Sequence, residues 1–399
     1  MMFRTLCKIV LSAGLLGAAG AAAQVACGTP KLICLIPTAL HTTTSTFNFF
    51  NEAFGTQVAQ LPLATPASGF IFTLDKPRGV YVASQESFGP LLAERAETIG
   101  KHHLYLAFTY QRFNFSRIDG NSMDNLPILF FFPAPDTATV VTSTTNRLDT
   151  TVDQFVAFGT YGLTDRIDIS VAVPFERISM GLRSSGTEYS TTTDATSSFT
   201  ESIVGAARGV GDVVVSAKAT ALRREKFGIA VGTELRFPSG DEENFLGSGA
   251  FGVKPYVVLS RRGRVAPHLN LIYQWNGNSL LARDQNGEHH LPAYFGYAIG
   301  ADVGVKKRLT VLAELLSQHF FEAPQISTPK TLTPKVNNSP MPFPSVLPVG
   351  GGYDVHNLGL GLKLNPTRNL LVSANVLISL DEGGVRAKAV PLVGLSYSF

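Results

Sequence analysis

From residue 101 to residue 399 the chain repeats one unit: a segment of about ten residues that alternates apolar and polar positions, then a connection. The connections are short and long in strict rotation. Short ones fall at Gly162–Arg166, Arg223–Lys226, Arg261–Arg264, Lys306–Arg308 and Asn365–Arg368. Long ones, rich in Ser, Thr, Asn, Gly and Pro, fall at 114–147, 179–209, 239–249, 277–291, 322–352 and 381–388. Period two marks strands with two unlike faces. A meander closed into a membrane barrel sorts its connections this way, with short periplasmic turns and longer outer loops. The arrangement therefore predicts an all-β, antiparallel transmembrane barrel of twelve strands with both ends of the barrel chain on the periplasmic side.

The apolar face of each segment supplies the lipid side. It runs through Leu104, Leu106, Phe108 and Tyr110, then Val152, Val156 and Phe158, then Ile167, Ile169, Val171, Val173 and Phe175, and so on to Val393, Leu395, Tyr397 and Phe399. Tyr110, Phe158, Phe175, Phe237, Trp275 and Tyr397 lie near segment ends, where aromatic girdles belong. The opposite face mixes Gly, Ser, Asn and charge. Charged residues are 16% of the chain, against roughly 25% in an average soluble domain. The formal charge of +3 falls by two if Arg4 and Lys8 leave with a leader. No basic excess is left to hold a nucleic acid.

Met1–Ala23 reads as a secretory signal, with Arg4 and Lys8 before the apolar run Ile9–Leu16 and small residues Ala21–Ala23 at the cleavage site. The run is too short for a spanning helix, and no later run reaches the ~18–20 apolar residues one needs. Cys27 and Cys34 stay in the mature chain. In an oxidising compartment they suggest a small disulfide loop, the other reading being two free buried thiols. Gln24-Val25-Ala26 does not suit a lipid-anchored Cys27.

Residues 24–100 do not follow the repeat and are expected to form a periplasmic or lumenal plug, leaving 101–399 as the barrel. Phe47–Gln60 could form an amphipathic helix with Phe47, Phe50, Phe54 and Val58 on one side. Phe70–Leu74 and Val80–Val82, around Lys76–Gly79, read as a hairpin. If that hairpin joined the wall, the strands would number fourteen.

Three stretches carry a family resemblance: Ser87–Gly100 (SFGPLLAERAETIG) followed by Tyr110-Gln-Arg-Phe113, Val210-Gly-Asp-Val213, and Arg236-Phe-Pro-Ser-Gly-Asp241. The chain resembles the outer-membrane barrel family named for the meta pathway of phenol degradation. That family is described as transporters distantly similar to long-chain fatty-acid channels. The resemblance covers about residues 60–399 and implies passage of hydrophobic or aromatic compounds. The ending Val393-Gly-Leu395-Ser-Tyr397-Ser-Phe399 likewise resembles the C-terminal strand by which outer-membrane proteins are recognised for assembly.

On the face opposite the lipid residues stand Asp153, Asp168, Asp212, Lys218, Glu234, Arg236, Lys254, His268, Asp302, Glu314 and Lys363. Their near balance of sign points to paired side chains in a constricted lumen rather than a single-sign ion filter. The stretch Leu126–Pro135 is apolar for an outer loop. It reads either as a capture patch for ligand at Phe130, Phe131 and Phe132 or as packing against the rim.

Enzyme readings find little support. No His-x-Ser occurs, as a barrel phospholipase would carry on one strand face. His102-His103 point to opposite faces of a strand, His289-His290 and Asp241-Glu242-Glu243 lie in loops, and no metal or other cofactor is expected. Gly359-x-Gly361 lies in a strand with no helix after it, which excludes a nucleotide site. The reading is an exported bacterial outer-membrane channel for small hydrophobic or aromatic compounds. The alternatives are a non-transporting structural or adhesion barrel and, third, an outer-membrane hydrolase. Its expected partners are membrane lipid, the solute, and the assembly machinery through the strand ending at Phe399.

Overall fold

A computed structural model describes residues 31–40, 48–58, 60–63, 72–75, 80–83, 86–133, 139–191, 193–284, 287–367 and 369–399. The leader and Cys27 lie outside the described residues. Twelve antiparallel strands form the wall: β1 (Leu104–Ile118), β2 (Thr139–Thr164), β3 (Ile167–Ser190), β4 (Val213–Arg223), β5 (Phe227–Phe237), β6 (Gly252–Arg261), β7 (Val265–Asn276), β8 (Tyr294–Lys306), β9 (Leu309–Ile326), β10 (Pro348–Thr367), β11 (Leu370–Ser379) and β12 (Ala389–Ser398). Each pairs with the next. β12 pairs with β1 from Leu392↔Gln111 to Ser398↔Tyr105, which closes the barrel. The Phe399 amide donates to the Leu104 carbonyl at 2.8 Å, so the chain end seals the seam. Closure leaves the wall no free edge, which a lipid environment requires. No helix among the described residues is long and apolar enough to cross a membrane.

The hairpin forms between Phe72–Asp75 and Val80–Ala83, but these strands pair only with each other. The wall therefore has twelve strands, not fourteen. The predicted amphipathic helix is α2 (Asn48–Val58), preceded by a single-turn α1 (Leu35–Ala39). Phe50, Phe54 and Val58 are buried along α2; Phe47 lies outside the described residues.

Two of the long connections, 114–147 and 179–209, are less loop-like than the sequence suggests. β2 runs for 26 residues and β3 for 24, well past the ~9–11 that cross a bilayer. Leu126–Pro133 adds to the outer part of β2, and Thr196–Val210 to the outer part of β3. Together they raise a sheet above the membrane on one side of the barrel. Ser and Thr are frequent there. Their β-branched or small side chains suit a sheet wetted by solvent, so polar composition alone did not reveal strand.

The lipid face follows the sequence pattern in β1 and in β3–β12. Leu271, Trp275, Ile299, Leu364 and Leu395 are all 40% exposed or more. β2 is the exception and corrects the expectation. Val152, Val156 and Phe158 are buried inside the barrel, and Phe155, Tyr161 and Leu163 face out. Since the strand period is two, a one-residue misreading exchanges the faces. The inner face of β2 carries Val156 and Phe158, beside polar Gln154 and Thr160, because these two pack on Leu91 and Ile99 of the N-terminal segment. Phe158 therefore leaves the girdle, and Asp153 leaves the lumen.

An arginine at the middle of the lipid face costs about 2–4 kcal/mol. We expect Leu271→Arg to lower the folding free energy in vesicles by that amount, measured by urea titration of tryptophan fluorescence. A change under about 0.5 kcal/mol, typical of a tolerant surface site, would place Leu271 elsewhere.

Candidate functional site

The lumen is occupied by the chain's own N-terminal segment. At the outer end, α1 and α2 fill the mouth. Phe54 meets the edges of Phe115 and Phe245 at centroid distances of 5.9 and 5.0 Å. Leu32, Leu35, Phe50 and Val58 join an apolar core with Ile178, Met180, Leu281 and Val390 from the outer parts of the wall. Cys34 lies in the same core and is disulfide-bonded. Lys31 bridges Asp241 and Glu243 at 3.1 and 3.2 Å, and the Leu32 amide donates to Asn244 Oδ1.

At the periplasmic end, residues 86–100 cross the lumen in extended and turning conformation without ladder partners. Buried backbone groups must still be bonded, and here the inner-face side chains do it. Glu314 accepts the amides of Leu91, Leu92 and Ala93 at 3.1, 3.1 and 3.2 Å. Asp168 accepts the Ile99 amide at 3.0 Å. Lys363 donates to the carbonyls of Phe88 and Pro90 at 3.2 and 2.5 Å. Lys218 pairs with Glu94 at 2.8 Å and donates to the Arg95 carbonyl at 3.1 Å. Asn270 both accepts the Glu94 amide and donates to its carbonyl. Ser87 donates to Asp302, and Arg262 pairs with Glu97. His268 sits between Asp302 and Glu314 at 3.6 and 3.5 Å, a bridge between the two carboxylates that hold the segment.

Two glycines admit this segment. A Cβ on Gly304 would lie 1.8 Å from the Glu86 carbonyl oxygen, and one on Gly162 would lie 1.7 Å from that of Gly100. Backbone touches wall at both its entry and its exit, and only glycine leaves the room.

Of the remaining inner-face residues, Glu234 and Lys254 pair with each other at 2.5 Å. Asp212 serves a loop. It accepts the amides of Gly240 and Ser248 and faces Arg236 at 3.8 Å. Ser239 donates to the Gly211 carbonyl and accepts the Val213 amide. The two motifs around 210–213 and 236–241 are thus bonded to each other, and their spacing records that contact. Asp153 is outside the barrel. It accepts hydrogen bonds from Tyr110 and Arg112 at 2.8 and 3.1 Å. Phe130 is buried in the outer core, Phe131 is 53% exposed, and the Phe132 side chain lies outside the described residues.

Uncharged polar residues, and the buried acid Glu176, escaped the sequence reading. Gln111 donates to the Pro62 carbonyl and to Gln154, which in turn donates to Glu176. Ser260 and Thr220 hold the Ala96 amide and carbonyl. Every one of these lies on the inner parity of its strand. Gathering all polar inner positions would have found them.

Between the two plugged ends lies a cavity of about 150 Å³. Leu61, Leu63 and Leu92 of the N-terminal segment line it, with Ile272 and Tyr294 of the wall and the Glu234–Lys254 pair. A smaller one of about 70 Å³ shares Leu63, Leu92 and Ile272 and adds Phe158 and Tyr256. Among the described residues no group of three His, Cys, Asp or Glu side chains is placed to hold a metal ion.

This fold and lumen define a closed twelve-stranded antiparallel membrane barrel whose lumen holds part of its own chain. A sequence family described as "Putative MetA-pathway of phenol degradation" matches residues 132–311. That span includes the bonded motifs at 210–213 and 236–241, in line with the resemblance read from the sequence. No curated protein matches the chain. Several solved structures are similar to it. An outer membrane channel from Pseudomonas putida is 12% identical over 77% of this chain and 99% of its own, with a TM-score of 0.44. A NanC porin is 9% identical over 74% and 98%, with a TM-score of 0.36. A FadL homologue from Pseudomonas aeruginosa is 10% identical over 75% and 89%, with a TM-score of 0.30.

Two outcomes follow from this geometry. Glu314→Ala strips three buried amides of their acceptor, at about 1–3 kcal/mol for each group left unbonded, and Gly304→Val forces Glu86 from the wall. Each should raise single-channel current in planar bilayers above that of the parent chain. Currents equal to the parent's would mean that residues 86–100 are not the barrier. At the outer mouth, burial and then the Glu288 charge push the Glu242 carboxyl up to about 7. The docked loop keeps a proton that the free loop loses above about 4.5. Its docking is therefore strongest below that pH and weakens as pH rises through about 7. Hydrogen exchange at 241–249, corrected for intrinsic rate, should be slower at pH 5 than at pH 8. Glu242→Gln should flatten the difference.

Proposed function

We propose that the barrel is a gated outer-membrane channel for small hydrophobic or aromatic compounds. The observation that carries this reading is the cavity of about 150 Å³ between the two plugged ends. A cavity near that volume takes a benzene-sized molecule. Leucines, Ile272 and Tyr294 offer apolar contact on part of the lining, and the rest, including Gln154, Gln274, Asn357 and the Glu234–Lys254 pair, offers hydrogen bonds to a ring substituent such as a hydroxyl. A wide aqueous pore would not need such a chamber. In this reading solute enters past the α1–α2 core, occupies the chamber, and leaves when residues 86–100 shift. The exposed Phe131 at the outer rim is a candidate first contact, with Phe130 and Phe132 beside it in sequence.

The remaining features of the reading go with it. Met1–Ala23 directs export, Cys27 is the partner of Cys34, and the strand ending at Phe399 is the part read by the assembly machinery. The sheet raised above the membrane favours a second role as an adhesive surface, since among the described residues Thr196–Val210 has β3 as its one strand partner.

Ile272→Trp would fill the chamber, at the 1–3 kcal/mol that overpacking costs. Uptake of a monocyclic aromatic by cells bearing this variant should fall roughly tenfold, as that cost implies, while the barrel still shifts on gels with heating. Undiminished uptake would take the chamber off the route.

A further inference from the structure

The outer wall carries a row of charge that the lumen does not use. Across four neighbouring strands the register aligns Arg112 with Asp153, Asp153 with Arg177, and Arg177 with Arg208. One step below, toward the periplasm, the same register aligns Tyr110, Phe155, Phe175 and Val210. Phe155 and Phe175 are 53% and 47% exposed. Aromatic side chains in this position mark the boundary between acyl chains and headgroups. Two residues of strand put the arginine row about 7 Å further along. That is the headgroup level at the long-loop end of the barrel, the outer leaflet.

The charges in this row are not balanced among themselves. Asp153 is taken by Tyr110 and Arg112. Arg177 and Arg208 are both exposed, and among the described residues neither has an ion-pair partner within the strands around it. They stand directly opposite each other, about 5 Å apart at Cβ, where like charges destabilise a sheet. An anion between them would turn that repulsion into two bidentate contacts, which the guanidinium fork makes with phosphate. Both side chains are exposed on the outward face of the wall, so a small soluble anion gains little beyond the two guanidinium groups. A lipid gains more. Its phosphate meets Arg177 and Arg208 while its acyl chains run down over Phe155, Phe175 and Val210.

We propose that Arg177 and Arg208, with the Arg112–Asp153 pair on the next two strands, form a binding site for the phosphate of an outer-leaflet lipid headgroup. The site is separate from the lumen and independent of what the lumen passes. Its place beside the outer sheet would tie that sheet to the leaflet on one side of the barrel.

The test uses the full chain in detergent and native mass spectrometry with bisphosphorylated lipid A. The parent chain should retain the lipid, and retention should fall with added salt as an ionic site does. It should also retain lipid A stripped of its phosphates at least tenfold less. Arg177→Gln with Arg208→Gln should lower retention about tenfold, as losing bidentate charged contacts does. Replacing both by Lys should restore only part of it. Arg183→Gln is the control. Arg183 lies six residues further out on the same strand, about 20 Å along it, and its loss should change nothing. Equal retention of the dephosphorylated lipid, or indifference to salt, would overturn the proposal without recourse to any variant. Inorganic phosphate displacing the lipid completely at millimolar concentration would also overturn it, showing a free-anion site instead.

Discussion

A closed barrel has spent its wall's backbone hydrogen bonds on its own ladder, so anything threaded through it must be bonded by side chains. Residues 86–100 meet that constraint. The amides of Leu91–Ala93, Glu94, Ala96 and Ile99 end on Glu314, Asn270, Ser260 and Asp168. The carbonyls of Phe88, Pro90 and Arg95 end on Lys363 and Lys218. Much of the interior chemistry of the wall follows from this duty. The residues are acidic where the thread presents N–H and basic where it presents C=O. Their near balance of sign reflects the near balance of donors and acceptors on any backbone. The charge of the lumen is therefore tied up largely in holding the thread.

The sequence made the wall legible because two periodicities agreed. Alternation at period two set the faces of the strands, and alternation of connection lengths set their number and direction. Where one of them lost its physical basis, the reading slipped. In β2 the inner face carries Val156 and Phe158, which rest on Leu91 and Ile99, so hydrophobicity no longer pointed to lipid. The strands standing clear of the membrane have no lipid face at all, and their Ser and Thr resembled loop. The hairpin at 72–83 formed locally, and nothing in its pattern could say whether it entered the wall.

The candidate site was legible in composition and not in purpose. Inner-face charges such as Asp168, Lys218, His268, Asp302, Glu314 and Lys363 could be gathered by parity. Their partners could not, because they lie on a segment of no regular structure some 70 to 270 residues away. A polar residue facing a lumen has the same signature in sequence whether it lines water or clasps a chain. The motifs around 210–213 and 236–241 show the reverse case. They stood out as patterns, and only the fold shows that Asp212 and Ser239 staple one to the other.

The path of the N-terminal segment also fixes an order of events. α1 and α2 sit at the outer mouth, residues 60–63 line the chamber, and residues 86–100 lie at the periplasmic end before β1 begins. The described parts of the segment thus lie at both ends of the lumen and between them, all before the chain enters the wall. A finished barrel could take it up only by passing the bulky α1–α2 core through a bore that its own side chains nearly fill. The simpler history is a sheet that curls around a strand of chain already lying across it, with the β12–β1 seam joined last. The barrel is then a ring cast around its own thread, and the threaded segment serves as a template for closure.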